Sequence, residues 1–119
     1  MAIFTRQNNF MKILILRFSS IGDIILTTPV IRVLKTQIED VKIHFATKKR
    51  YTNLLEENPY IDRIHQLINK ESDLITELKA EKFDLIIDLH HNLRTWLIQK
   101  KLGVKAYKYD KLNIKKWLY

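Results

Sequence analysis

The feature that most constrains the fold is a short apolar run followed by a polar turn and then by a helical pattern. Residues 12–16, KILIL, are apolar and rich in isoleucine and leucine, which is typical of a strand buried on both faces. A turn that contains small polar residues follows at 17–23, RFSSIGD, and from residue 24 to residue 38 the apolar side chains recur at helical spacing. In open α/β sheets ligands bind at the carboxyl ends of strands, where such turns lie. The turn is therefore the first candidate for a functional site.

The same alternation continues along the chain and predicts an α/β domain. Because strand and helix patterns alternate, we expect a Rossmann-like parallel sheet with helices on both faces and right-handed crossovers. Pro29 predicts a kink in the first helix or a late start of its regular part. Ser72 is the predicted N-cap of the third helix, and Gly103 is predicted to end the fourth helix. Strands are predicted over residues 12–17, 41–46, 63–67, 83–89 and 104–109, and helices over residues 23–37, 50–57, 72–81 and 93–102.

The composition excludes several classes of protein. A chain of 119 residues with 46% apolar content suits one globular domain rather than a disordered segment. The absence of cysteine removes disulfides, zinc–thiolate sites and cysteine nucleophiles, and it fits a reducing compartment. With only two glycines, Gly22 and Gly103, the chain has no dinucleotide fingerprint and no P-loop. No apolar run approaches the roughly 20 residues needed to span a bilayer.

The formal charge of +8 is concentrated near the carboxyl terminus. Residues 99–119 carry seven lysines and one aspartate, Asp110. Such a segment suits an anionic partner, which could be a nucleic acid, a membrane surface or a phosphorylated substrate. For lysine alone, a solvated surface is the preferred interpretation.

Ser19, Ser20, Gly22 and Asp23 form the first candidate site. Gly22 allows the backbone to approach a ligand closely, and free amides at a helix start suit an anion. Asp23 is placed to act as a general base on a hydroxyl group. Helix capping is the structural alternative, and it accounts for one of these residues rather than all of them.

A second candidate site follows the fourth strand, in residues 88–95, DLHHNLRT. In a parallel sheet this turn lies on the same edge as the first turn. His91, Asn92 and Arg94 could bind phosphate or sugar oxygens. The alternative is a helix start capped by Asn92, and for His90 we prefer a structural role.

The remaining polar clusters are given structural interpretations. Residues 48–50, KKR, form a basic turn that is expected to be solvated, with contact to an acidic ligand as the weaker option. His44 and His65 lie in strand segments and are expected to have structural or surface roles. Adjacent histidines point in different directions, so the pair at 90 and 91 is a poor metal site, and no metal site is predicted.

Three stretches of the chain resemble one enzyme family. Residues 12–32, KILILRFSSIGDIILTTPVIR, resemble the amino-terminal signature of the lipopolysaccharide heptosyltransferases, glycosyltransferase family nine. Residues 57–62, ENPYID, and residues 83–95, FDLIIDLHHNLRT, resemble the same family. The SSIGD stretch with the TTP that follows it is the most specific part.

The resemblance implies the amino-terminal half of a GT-B glycosyltransferase, which has two Rossmann-like domains facing a cleft. Residues 1–10 are then an extension, and residues 11–119 the domain that faces the acceptor. The second, donor-binding domain is absent, so the chain alone is expected to have little or no transferase activity. Two large aromatic residues near the end, Trp117 and Tyr119, lead us to expect more protein beyond them.

The resemblance also implies a reaction and the residues that serve it. The family transfers heptose or a related sugar, with inversion, from a nucleotide-sugar to a lipopolysaccharide or lipid-linked glycan acceptor, and it needs no cofactor. The family's catalytic aspartate falls on Asp23 as general base, and Arg94 falls near the acceptor. A cytoplasmic location is implied, which leaves room for peripheral contact with the inner face of the cytoplasmic membrane. Substrate-binding roles are implied for Ser19, Ser20, Ile21, Gly22, Thr27, His91, Asn92 and Arg94.

Two other functions compete with this interpretation. A flavodoxin-like module could bind phosphate or nucleotide without catalysis, with Asp23 as a helix cap. A basic nucleic-acid domain could use residues 100–116 with Tyr107, Tyr109 and Trp117 for stacking. The nucleic-acid interpretation ranks lowest, and no nucleic-acid partner is expected, because the tail has almost no arginine and the chain has no nucleic-acid motif.

Overall fold

The computed structural model describes residues 10–108, which form one five-stranded parallel sheet with helices between the strands. The order of strands across the sheet is β3-β2-β1-β4-β5. This arrangement confirms the predicted Rossmann-like α/β fold. The elements are β1 (Met11–Leu16), α1 (Ile21–Ile25), α2 (Thr28–Gln37), β2 (Val41–Lys48), a 3₁₀ helix (Lys49–Leu54), β3 (Arg63–Leu67), α3 (Glu71–Glu81), β4 (Leu85–Asp88), α4 (Leu93–Leu102) and β5 (Ala106–Lys108).

The sheet has a topological switch point beside its central strand. From β1 the chain first moves outward to β2 and β3, and it then returns to place β4 on the other side of β1. Leu16, the last residue of β1, pairs with Asp88, the last residue of β4. The turns that follow these two strands therefore emerge side by side, which is where ligands bind in open α/β sheets.

Helices cover both faces of the sheet, as the continuous apolar run in β1 predicts. Ile13 and Ile15 pack on one face in a core that includes Ile31 of α2. Leu14 and Leu16 pack on the other face in a second core, with side chains from α3 and α4. All four strand residues are fully buried. This burial on both faces fixes the end of β1, and with it the start of the following turn.

Pro29 divides the first helical pattern into two helices. The predicted helix over residues 23–37 is found as α1 and α2, and Pro29 is the second residue of α2. Proline is tolerated in the first turn of a helix, where its missing N–H has no partner in any case, and it is excluded from helix interiors. The late start of regular helix is thus confirmed.

Two details of the predicted elements are wrong. The helix expected over residues 50–57 is a 3₁₀ helix, Lys49–Leu54. Ser72 is not the N-cap of α3, because that helix begins earlier, at Glu71, with Lys70 in the cap position. Gly103 ends α4 in the left-handed conformation, with φ of 65°, as predicted.

Several predictions fall on residues 1–9 and 109–119, which lie outside the described residues. They are most of the amino-terminal extension, the aromatic carboxyl terminus, and the part of the lysine-rich tail that follows residue 108. Within residues 10–108 no helix is long and apolar enough to cross a bilayer.

Candidate active site at the β1–β4 edge of the sheet

Asp88 fixes the shape of the turn after β4. Its side chain is buried, and Oδ1 accepts hydrogen bonds from the backbone N–H groups of His90 and His91, both at 2.9 Å. Oδ2 accepts a third bond from Nε2 of Gln99 on α4, at 2.7 Å. A buried carboxylate needs such donors to offset its lost hydration. His91 then takes a left-handed conformation, with φ of 68°, which carries the chain into the start of α4.

Arg17 joins the two turns. Its Nη2 lies 2.7 Å from Oδ2 of Asp23, and its Nη1 donates to the carbonyl oxygen of Leu89, at 2.6 Å. The Arg17 and Asp23 side chains are only 13% and 15% exposed, so solvent screens this ion pair less than it would a surface pair. The first turn thus holds its carboxylate in a position set partly by the second turn.

Asp23 also takes part in the cap of α1. Ser20 occupies the N-cap position, and its hydroxyl donates to Oδ2 of Asp23 at 2.9 Å. The backbone N–H of Ser20 lies 3.5 Å from the same oxygen. The structure therefore contains the helix cap that the structural alternative predicts for this turn. The ion pair with Arg17 goes beyond what a cap requires, and the role of Asp23 as general base stays a prediction.

His90 links the same two turns through its ring. The backbone N–H of Phe18 donates to Nδ1 of His90 at 3.1 Å, and the two rings meet edge to face with centroids 6.1 Å apart. Burial is the main cause that lowers the pKa of His90, and the Arg17 guanidinium lowers it further. The imidazole is therefore neutral at pH 7.

The other predicted residues of the second turn have separate structural roles. Asn92 is the N-cap of α4: its Oδ1 accepts from the backbone N–H of Thr95 at 3.0 Å, and Thr95 Oγ1 accepts from the backbone N–H of Asn92 at 3.1 Å. The predicted cap is thus confirmed. Arg94 stacks over the Phe18 ring, 5.6 Å from its centroid, and its Nε lies 3.3 Å from a Glu71 carboxylate oxygen. Arg94 therefore stands beside the first turn, whereas the contacts of Asn92 are within the cap of α4.

The predicted residues of the first turn differ in how open they are. Ser20, Ile21 and Gly22 are exposed, and a Cβ added at Gly22 would meet no atom within 4 Å. That space allows a ligand to approach the backbone. Thr27 is instead buried, and its hydroxyl donates to the carbonyl oxygen of Ile24 at 2.6 Å. Thr27 lies inside the junction of α1 and α2, where its hydroxyl is already hydrogen-bonded. Its role in substrate binding stays a prediction.

A second polar cluster lies within the sheet, on the face covered by α3. Nδ1 of His44 on β2 lies 2.9 Å from Nε2 of His65 on β3, and the two rings stack. Nδ1 of His65 is hydrogen-bonded to a carboxylate oxygen of Glu77. Both histidines are buried, and burial is the first cause that lowers their pKa values, that of His44 to about 4. These are structural roles, as expected for both residues.

The same cluster contains side chains that can bind a metal ion, but it lacks the negative charge that would attract one. One atom each from His44, His65 and Glu81 lie within 4.8 Å of one another. However, Oε1 of Glu81 is 2.7 Å from the Lys12 ammonium, and Oε2 is 2.6 Å from the Arg63 guanidinium. The carboxylate is thus neutralised by two cations that would repel a metal ion. The arrangement fits an internal ion-pair network better than a metal centre.

Comparison with known proteins supports the family that the sequence resembles. No protein-family model matches the chain. A lipopolysaccharide heptosyltransferase 1 from Campylobacter coli is 26% identical over 111 residues, which cover 88% of this chain and 32% of that protein. A lipopolysaccharide heptosyltransferase 3 from Escherichia coli is 37% identical over 95 residues, covering 71% of this chain and 28% of that protein. The chain is related to the lipopolysaccharide heptosyltransferases.

Solved structures support the same relationship. A glycosyltransferase family nine protein from Veillonella parvula superposes with a TM-score of 0.76 at 25% identity, covering 89% of this chain and 34% of that one. An Escherichia coli heptosyltransferase solved with ADP has a TM-score of 0.69 at 18% identity, covering 84% of this chain and 34% of that one. The heptosyltransferase-related chain thus has the fold of one Rossmann-like domain of a GT-B glycosyltransferase, and it spans about a third of the length of these relatives.

Sequence reasoning missed some residues that build the site in this heptosyltransferase-related domain. The sequence marks Arg17 only as part of the family signature, and it favours a structural role for His90. Their importance comes from contacts between turns 72 positions apart in the chain. The signal that could have found them is the predicted parallel sheet, which brings both turns to one edge.

Proposed function

We propose that this chain is the amino-terminal, acceptor-binding half of an inverting glycosyltransferase. The substrate would be a nucleotide-sugar carrying heptose or a related sugar, and the acceptor the core of a lipopolysaccharide. The names of the relatives support the substrate class, since they include lipopolysaccharide heptosyltransferases and a structure with ADP-2-deoxy-2-fluoro heptose. The observation that carries the proposal is the position of Asp23 at the switch point, with its carboxylate held by Arg17.

In the proposed reaction Asp23 is the general base. The carboxylate removes the proton of an acceptor hydroxyl while that oxygen attacks the anomeric carbon of the donor sugar. The bond between the anomeric carbon and the diphosphate breaks, and the nucleoside diphosphate leaves with the bonding electron pair. Attack from the face opposite the leaving group inverts the anomeric centre, and the transition state has oxocarbenium character, as in glycoside hydrolysis.

The net charge of the chain suits an anionic acceptor. The chain carries a formal charge of +8, and a positive field raises the local concentration of phosphorylated glycans. The nucleotide-sugar is a substrate in this proposal, and no cofactor is required. A cytoplasmic location, with peripheral contact at the inner face of the membrane, belongs to the same proposal.

Replacement of Asp23 by asparagine tests the proposal. In the full-length enzyme that this proposal implies, Asp23→Asn should transfer heptose from ADP-heptose to the acceptor roughly 10²- to 10⁴-fold more slowly, because the amide cannot accept the proton. Asp40→Asn is the matched control, since Asp40 precedes β2 at the opposite edge of the sheet and has a positive φ that asparagine tolerates.

Two outcomes separate catalysis from capping. The general-base role predicts slow turnover with an unchanged affinity for the acceptor. The melting temperature falls under either role, because asparagine weakens the ion pair with Arg17. If Asp23→Asn turns over as fast as Asp40→Asn, the carboxylate acts only as a cap and the proposed mechanism is wrong.

A further inference from the structure

His90 presents one hydrogen-bond donor to the site, and its position is fixed by the fold. The backbone N–H of His90 is held by Oδ1 of Asp88, at 2.9 Å. The ring packs against the edge of the Phe18 ring, which is itself buried. Nδ1 accepts the backbone N–H of Phe18 at 3.1 Å. Backbone, ring face and one ring nitrogen are thus all restrained.

The bond to Phe18 determines which nitrogen carries the proton. A backbone N–H can only donate, so Nδ1 of His90 must offer its lone pair. A neutral imidazole has one N–H, which therefore lies on Nε2. A protonated ring would place a second N–H against the N–H of Phe18. The lowered pKa agrees with the neutral ring, since burial, Arg17 and Arg94 outweigh the opposing effects of Asp88 and Asp23.

The Nε2–H group of His90 makes no hydrogen bond within the described part of the chain. Between residues 10 and 108, Nε2 of His90 has no hydrogen-bond partner. It is also not one of the side-chain nitrogen and oxygen atoms of that region that are both buried and unpaired. The ring is only partly buried, so this nitrogen reaches solvent. Asp23 and Arg94 are both close enough to affect the charge of the ring. The ring therefore stands near the candidate base and near Arg94 at the start of α4, which stacks over the same Phe18 ring.

We propose that His90 is a substrate-binding residue that donates a hydrogen bond from Nε2 to an oxygen of the glycan acceptor. This inference rests on the proposed function and adds to it a residue that local sequence patterns favour as structural. The accepting oxygen is a sugar hydroxyl or a phosphate oxygen, which offer the same lone-pair chemistry. Because the ring is neutral, it can recognise either oxygen without adding a charge beside Asp23.

Two amide substitutions at His90 distinguish the contribution of Nε2 from that of Nδ1. In His90→Gln the side-chain amide reaches the position of Nε2 and keeps a donor there, but Phe18 loses its acceptor. In His90→Asn the amide oxygen lies near the position of Nδ1 and can accept from Phe18, but the outer donor is lost. The probe is a deacylated inner-core oligosaccharide, titrated calorimetrically into the purified protein, with and without prior enzymatic removal of its phosphates.

The inference predicts opposite effects of the two variants on binding and on stability. His90→Gln should bind the oligosaccharide within about threefold of the unsubstituted protein, and His90→Asn roughly three- to tenfold more weakly, as expected for one hydrogen bond. Thermal stability should follow the reverse order, because only His90→Asn keeps the bond to Phe18. If the difference in affinity disappears with the dephosphorylated probe, the partner is a phosphate oxygen, and if it persists, the partner is a hydroxyl.

Other results would overturn the inference. Equal affinities for the two variants, or weaker binding by His90→Gln, would show that the ring acts only through Phe18. A long-range ¹H–¹⁵N spectrum of the unsubstituted protein gives an independent check, because a proton on Nδ1 at pH 7 contradicts the assignment. These results leave the role of Asp23 intact, whereas a protein that does not bind the oligosaccharide at all contradicts the proposed function together with this inference.

Discussion

The buried histidine pair between β2 and β3 should make the protein sensitive to mild acid. His44 and His65 are within hydrogen-bond distance in the second core, where a charged imidazole is poorly solvated. The positive charges of Lys12 and Arg63 lower the pKa of His44 further, while Glu81 opposes them. Lowering the pH should therefore destabilise the fold before its carboxylates titrate.

The size and sign of the effect follow from proton linkage. The pKa of His44 is lowered from 6.5 to about 4, which corresponds to about 3 kcal/mol at 1.36 kcal/mol per pKa unit. Between pH 6.5 and pH 4 the unfolded chain binds a proton at this residue and the folded chain does not. The free energy of unfolding should therefore fall as the pH falls through that window, with no further loss from His44 below it.

Denaturant titrations at pH 7 and pH 4.5 measure this loss. His44→Asn is the informative variant, because its amide can keep the hydrogen bond to His65 but cannot titrate. His91→Asn is the matched control at an exposed histidine with a positive φ. The unsubstituted protein and the control should lose about 2 to 3 kcal/mol more than His44→Asn over this range. Equal losses of unfolding free energy in all three proteins would show that His44 does not cause the sensitivity to acid.

Three further substitutions test single features of the fold. Gly103→Ala should cost about 1 kcal/mol of unfolding free energy, because residue 103 has a φ of 65°, and denaturant unfolding measures it. Gly22→Ala should leave the melting temperature unchanged or raise it, since the site is helical and open, but it should weaken binding of the oligosaccharide if a ligand uses that space. Asp88→Ala should cost about 3 kcal/mol in the same unfolding assay by leaving its buried donors unpaired, whereas Asp88→Asn, which keeps most of these bonds, should cost less.

Much of the fold could be predicted because its signals are local. The bounds of β3 and α4 agree with the sequence pattern to the residue, since the apolar spacing is clear and Gly103 marks the helix end. The capping side chain of Ser72 favours a helix start at that residue, whereas α3 begins at Glu71 with Lys70 as its N-cap. The short helix after β2 is present where it is predicted, but it is a 3₁₀ helix that ends earlier, because spacing over so few residues does not separate the two helix types.

The site was predictable only in outline. The two turns could be placed on one edge because each follows an apolar run and the sheet was expected to be parallel. The ion pair of Arg17 with Asp23 and the bond from Phe18 to His90 depend on how the turns are oriented after the strands pair. The pairing of His44 with His65 depends likewise on the register of β2 and β3. No local pattern in the sequence reports these contacts.

The proposed ligand site lies at the ends of β1 and β4. An amide chemical-shift titration of the protein with the deacylated inner-core oligosaccharide locates that site residue by residue. The largest changes should map to residues 17–23 and 88–94. Changes confined to the basic turn at residues 48–50, or to the outer face of α4, would contradict it.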